Sequence, residues 1–265
     1  MSQDQFNVSA AADKIVREIF SDRDDAISFF NSQLPFELKA ILDLDSLQVE
    51  NGTFIDEQLK EYRTDILFSI QTKTGRFANI YLLFEHKSYN DPGIHLQLLS
   101  YLARIYKKQQ EPVPVIPFVF FHGEDSWTQG NSFINYFKFT EEEKLLFARY
   151  IPVFEFDLFN LNETNVETLE FNLFMKAFLL IMQHIDRKDL EEHLSRIFQL
   201  SESIFFEQKI LEKFRKLLLY MFSKGEISPV TVTNSLNRNI MFLEKEIMTT
   251  AERLIREGMQ IGWSR

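Results

Sequence analysis

The chain has 265 residues, a formal net charge of −10, 45% apolar residues and no cysteine. The acidic balance argues against broad non-specific nucleic-acid binding. The lack of cysteine excludes disulfides and thiolate metal sites and fits a reducing, cytoplasmic setting. No apolar run approaches the roughly 20 residues of a membrane span, and no basic-then-apolar segment opens the chain, so no membrane partner is expected.

Residues 1–10 are small and polar and read as a loose end. Ala11 to Phe20 reads as a helix with Ile15, Val16, Ile19 and Phe20 on its apolar side and Glu18 beside Lys14. Two short helices follow, Asp22 to Phe30 and Pro35 to Leu42. Leu47-Gln48-Val49 and Phe54-Ile55 flank the turn signal Asn51-Gly52, which predicts a first strand and its exit.

Residues 65–73 and 77–87 are rich in Ile, Leu, Phe and Tyr, with Thr-Gly between them, which predicts a hairpin. If the loop is Thr74-Gly75-Arg76, Lys73 pairs with Phe77 and Asp65 falls opposite Glu85. Strand alternation puts Glu85 and Lys87 on one face and His86 on the other. Two carboxylates and an ammonium then converge. Such a set suits phosphodiester hydrolysis: the carboxylates bind Mg²⁺ through oxygen, the ion activates water, and the lysine steadies developing charge.

After Asp91-Pro92, a helix is predicted from about Gly93 to Gln110, with Ile94, Leu98, Leu102 and Ile105 inward. Gln97, Tyr101, Arg104 and Lys108 form one stripe. It reads either as a polar edge at the mouth of a site, touching DNA phosphates, or as a solvated helix face. Val113 to His122 suits a buried parallel strand. Residues 132–149 read as mostly helical, and Pro152 to Leu158 as a second buried strand.

From about Asn162 the pattern is helical: Leu169 to Gln183, Leu190 to Phe206, Gln208 to Phe222, a break at Pro229, then Asn239 to Arg256. His184 and His193 are nine apart, a poor spacing for one helix face, and read as structural. The 28 phenylalanines imply a Phe-heavy core, and 8 glycines leave no place for a Gly-rich nucleotide loop. Residues 160–265 hold 14 Lys/Arg against 15 Asp/Glu, whereas the first 159 hold 15 against 24. The half with the candidate site is therefore the acidic one. DNA contact there needs a local basic stripe, a partner or a second subunit.

Asp65…Glu85-His86-Lys87 resembles the D…E-x-K signature of PD-(D/E)xK nucleases, and Gln97…Tyr101 resembles the Q-x-x-x-Y motif that follows it in RecB-like members. Arg63 to Phe68, Tyr81 to Ser88, and Pro117 to Glu124 with Trp127 resemble the Rpn family, recombination-promoting nucleases also described as transposases. The likeness covers residues 11–160 best. Near the start the family's His-Asp-x-x-Phe becomes Ala12-Asp13-x-x-Val16, so the family's histidine is missing here.

The resemblance implies an α/β, restriction-endonuclease-like αβββαβ core, a mixed central sheet flanked by helices, over residues 1–160. Residues 161–265 would be a helical region for packing or oligomerisation. It also implies a Mg²⁺- (or Mn²⁺-) dependent DNA endonuclease linked to recombination or mobile DNA. Asp65 and Glu85 would hold the metal with the backbone carbonyl of His86, and Glu18 would be an extra acidic contributor, as in some members of the fold. Lys87 would position the water, Gln97 and Tyr101 would support lysine or substrate, and Arg104 and Lys108 would meet DNA. Cutting both strands would favour a homodimer. The alternative is a catalytically inactive nucleic-acid- or protein-binding module on the same fold.

Overall fold

A computed structural model of the chain describes residues 8–50, 66–74, 80–123, 125–224 and 227–256. Its first elements are α1 (Val8–Phe20), α2 (Arg23–Gln33), α3 (Phe36–Ile41), β1 (Leu42–Val49), β2 (Ile66–Thr72), β3 (Ile80–Lys87), α4 (Ile94–Lys108) and β4 (Val115–Phe121). Then come α5 (Glu141–Phe147), β5 (Asp157–Asn160), α6 (Leu173–Arg187), α7 (Leu190–Ser201), α8 (Gln208–Ser223), α9 (Pro229–Asn234) and α10 (Leu243–Arg256). By contact the chain forms two compact units, Gln33–Thr164 and the joined segments Met1–Ser32 and Asn165–Arg265. The sequence reading drew its boundary at 160/161 alone and kept the first helices with the strands; here they group with the late helices.

The unit Gln33–Thr164 is built on a five-stranded sheet in the order β1-β2-β3-β4-β5. β1 to β3 run antiparallel as successive neighbours, and β3, β4 and β5 run parallel. This is a mixed α/β architecture. The switch to parallel pairing demands a crossover, and α4 supplies it between β3 and β4. Ile66 pairs with Phe84 and Ile70 with Ile80, the register expected from a Thr74-Gly75-Arg76 loop. Asp65, Gly75 and Arg76, like Phe54-Ile55, lie outside the described residues. The β1–β2 register shifts between Asp43 and Gln48. Ser46 serves the irregularity: its Oγ accepts from Gln71 N at 2.8 Å and donates to Asp43 O at 2.6 Å.

α4 packs on the sheet through Ile94, Leu98, Leu102 and Ile105, the inward face expected from their spacing. Leu67, Val115, Val119 and Phe156 complete that cluster. Each fully buried aliphatic side chain contributes roughly 1.5–3 kcal/mol. On β4 and β5, Phe120 and Phe159 stack at 5.6 Å.

Two expected elements differ. The strand awaited at 152–158 begins only at Asp157, because residues 154–156 bond to a loop instead: Phe133 N donates to Phe154 O and Phe156 N to Asn131 O. The stretch 132–149 is only partly α-helical, with a 3-10 turn at Phe133–Tyr136 before α5.

In the other unit, Ile15, Val16, Ile19 and Phe20 of α1 are buried as expected. Phe20 meets Phe29 and Phe178 edge-on, and Phe29 stacks on Phe171. Asn172 caps α6, its Oδ1 accepting from Met175 N at 2.7 Å, which moves the helix start from the expected Leu169 to Leu173. Pro229, expected to break the chain, instead opens α9 at its first turn with Ser228 as the cap; a first-turn proline loses no helical hydrogen bond. Among the described residues no helix is long and apolar enough to cross a membrane.

Candidate active site

Lys87 ends β3, the central strand, and is only 7% exposed. An ammonium so placed needs partners, since an unpaired buried charge is costly. It has them on the loop and helix that follow. Its Nζ donates to Gln97 Oε1 at 2.6 Å and lies 2.9 Å from Asp91 Oδ2. Gln97 Nε2 in turn donates to the Tyr101 hydroxyl at 2.8 Å. Tyr101 is itself 2% exposed and sits in the core cluster under α4. The chain Lys87–Gln97–Tyr101 thus ties the end of β3 to one helical turn of α4, and the i, i+4 spacing of Gln97 and Tyr101 makes it possible.

The loop between β3 and α4 is fixed at several points. Asp91 Oδ1 accepts from Gly93 N at 2.8 Å while its other oxygen holds Lys87. Asn90 Nδ2 donates to Thr128 Oγ1 at 2.7 Å, and Gln129 Nε2 donates to Asn90 Oδ1 at 3.2 Å. The Tyr89 ring lies 5.8 Å from Lys87 Nζ, within cation–π reach. At the end of β4, His122 N donates to Lys87 O at 3.0 Å. Gly123 is required there: a Cβ would sit 2.6 Å from the Phe121 ring and 2.8 Å from Ser88 O.

The other expected site residues fall out as follows. Glu85 and His86 lie in the backbone of β3, paired with Val119 and Phe120; their side chains, like all of Asp65, lie outside what is described. Arg104 is half-buried and Lys108 exposed, two and three turns along α4 from Gln97, so the stripe starts in the interior and ends in solvent. Glu18 belongs to the other unit, where it pairs with Lys216 at 3.5 Å. His95 is fully buried with its Nε2 2.6 Å from Gly130 O. Burial pushes its imidazole below the usual histidine range, against the raising effect of its hydrogen bonds to the backbone at Gly130 and Ser132. Asp91 went unnoticed as a site residue in the sequence. Its signal was there: four residues beyond Lys87, in a Pro-Gly turn that folds the chain back.

The chain matches the family described as "Putative transposase, YhgA-like" over residues 11–211, and it belongs to that family. It is 27% identical over 261 residues to the inactive recombination-promoting nuclease-like protein RpnE of Escherichia coli K12, covering 96% of this chain and 85% of the relative. It is 25% identical over 260 residues to the recombination-promoting nuclease RpnA of the same strain, covering 95% and 86%. With the recombination-promoting nuclease RpnD of Escherichia coli O157:H7 it shares 34% identity over 127 residues, 46% of this chain and 48% of that one. No solved structure matches the chain.

Proposed function

We propose that the unit Gln33–Thr164 is a metal-dependent DNA endonuclease on a restriction-endonuclease-like core, serving recombination. The observation that carries this is the buried Lys87 at the end of the central strand, aimed by Gln97 and Asp91. Three further facts support it. Three antiparallel strands cross through a helix to a parallel fourth, as that core requires. The β2–β3 register, carried on by one residue, would set Asp65 against Glu85. Glu85 pairs with Val119 in the parallel β3–β4 register, two residues before Lys87 on the same strand.

Two carboxylates and the His86 carbonyl are hard oxygen donors of the kind Mg²⁺ or Mn²⁺ takes, so the donor set fits the ion. When bound, the ion would lower the pKa of a coordinated water and offset charge on the phosphate. The chain's own part is orientation. Lys87 would hold the attacking water and the developing negative charge, and Gln97 and Tyr101 would keep the ammonium from swinging away. Arg104 and Lys108 would meet the phosphate backbone beyond the cut, a local basic edge on an acidic unit.

A second reading has specific support: a relative matched over 96% of this chain is named inactive. On that reading the chain is a binding module whose site no longer turns over. Plasmid cleavage with Mg²⁺ separates the two. Intact protein should cut, and Asp65→Ala and Lys87→Ala should each cut at least about 100-fold more slowly. If neither change slows cutting, the assignment of the site fails; if the intact chain neither cuts nor binds Mn²⁺ in a titration, the module reading stands.

A further inference from the structure

The unit of Met1–Ser32 and Asn165–Arg265 holds a second constellation. α6 ends at Arg187 and is capped by Lys188, whose φ of 61° is left-handed, and the chain turns at once into α7. That turn folds the two helices back on each other and stacks the rings of His184 and His193 at 3.6 Å, inclined by 14°. Asp189 stands between them as the N-cap of α7. A capping aspartate ordinarily accepts from the amides of the first turn, yet the Asp189 side chain makes no such bond. Its Oδ1 is instead 2.9 Å from His184 Nδ1, and its Oδ2 is 3.9 Å from His193 Nδ1. His193 Nδ1 also lies 3.0 Å from the Asp189 carbonyl. One ligand atom from each of the three residues can be chosen so that all lie within 4.8 Å of one another.

We propose that His184, Asp189 and His193 form a binding site for a first-row transition-metal dication of the Zn²⁺ type. Two imidazoles and one carboxylate match the three-ligand sets that hold zinc at about 2.0–2.2 Å and leave a position for water. Imidazole selects such ions over Mg²⁺, which prefers an all-oxygen shell. The carboxylate that has left the helix amides is already turned to the histidines. Closure to bonding distance needs the His193 ring, 39% of whose side chain is exposed, to tilt out of the stack and give up its Nδ1 contact with the Asp189 carbonyl. Ions that differ in kind would thus separate between the two units, hard at the sheet and borderline at the helix turn, and the bound dication would clamp the α6–α7 turn.

The test uses the full chain without a histidine tag, stripped with chelator, and titrated calorimetrically with Zn²⁺ and with Mg²⁺. The expected result is one Zn²⁺ per chain at this turn, little or no Mg²⁺ at the same turn, a rise in Tm with Zn²⁺, and a tetrahedral visible spectrum with Co²⁺. His193→Ala and Asp189→Asn should each weaken Zn²⁺ binding by more than about 100-fold. Their unfolding in chelator checks that they fold. Lys87→Ala, which leaves this turn untouched, should bind Zn²⁺ as the intact chain does. Zn²⁺ binding that is absent, or equal in the intact chain and both folded variants, would overturn the site and leave the three residues as a capped and stacked helix turn.

Discussion

Each unit encloses a lysine, and the two are partnered differently. Lys213 on α8, with 12% of its side chain exposed, lies 2.5 Å from Asp25 Oδ2 and 3.2 Å from Asp22 Oδ2. Asp25 is itself 2% exposed and takes a further hydrogen bond from Asn172 Nδ2. This is a charge held in place to join α2 to α8. Lys87, with 8% of its side chain exposed, has the Asp91 carboxylate and the neutral Gln97 amide among its described partners, and the amide leads on to a buried phenol. The first arrangement matches charge with charge. The second fixes the direction of an ammonium through a relay of oriented donors, which is what a site needs and a scaffold does not.

The contrast can be broken by experiment. Lys213→Met leaves Asp25 buried without its counter-charge and should cost about 3–5 kcal/mol in chemical denaturation. Lys87→Met should cost clearly less, because Asp91 is more open to water and retains the Gly93 amide. Equal losses would erase the distinction between scaffold and site.

A smaller effect sharpens it. Asp91→Asn keeps the size of the side chain and weakens the hold on Lys87. On the proposed reaction it should lower kcat about 10-fold, some 1.4 kcal/mol of barrier, with KM unchanged. A purely structural role would instead show as a fall in Tm with kcat intact.

The smallest effect belongs to a half-buried pair. Arg215 Nε donates to Glu246 Oε2 at 2.5 Å, joining α8 to α10. The Arg215 hydrogen bond, opposed by partial burial, holds the Glu246 carboxyl below its ordinary 4.5. A carboxyl lowered on folding contributes stability above its unfolded value and loses it as pH falls through the lowered one. Glu246→Gln should therefore cost less than about 1 kcal/mol near neutrality. Its melting curve should converge on that of the intact chain in strong acid, and a gap that widens on acidification would contradict the sign.

Much of the strand unit was legible in the sequence. The hairpin register followed from one assumption, a Thr74-Gly75-Arg76 loop, because side-chain alternation makes a one-residue slip expensive. The inward face of α4 followed from the spacing of Ile94, Leu98, Leu102 and Ile105. Gln97 and Tyr101 were picked out by motif and spacing; Gln97 accepts from Lys87 and donates to Tyr101. The misses share a cause. Pro152 to Leu158 is apolar enough for a strand, yet its first part pairs with the 131–133 loop, a competitor no local pattern reveals. His184 and His193 read as structural because nine residues is a poor spacing for one helix face, a spacing that hid their contact. They are on two helices, and the left-handed turn at Lys188 is what brings them together.

By itself the sequence determined the periodic elements, the register of the β2–β3 hairpin and the motif words, since those depend on neighbours a few residues away. Only the tertiary structure decided that Asp91 turns back onto Lys87, that two distant histidines stack over one aspartate, and that α1 and α2 belong with the late helices. Those outcomes depend on which surfaces meet when the apolar faces are buried, and burial is non-directional: it drives collapse strongly, but shape and chain connection choose the partners.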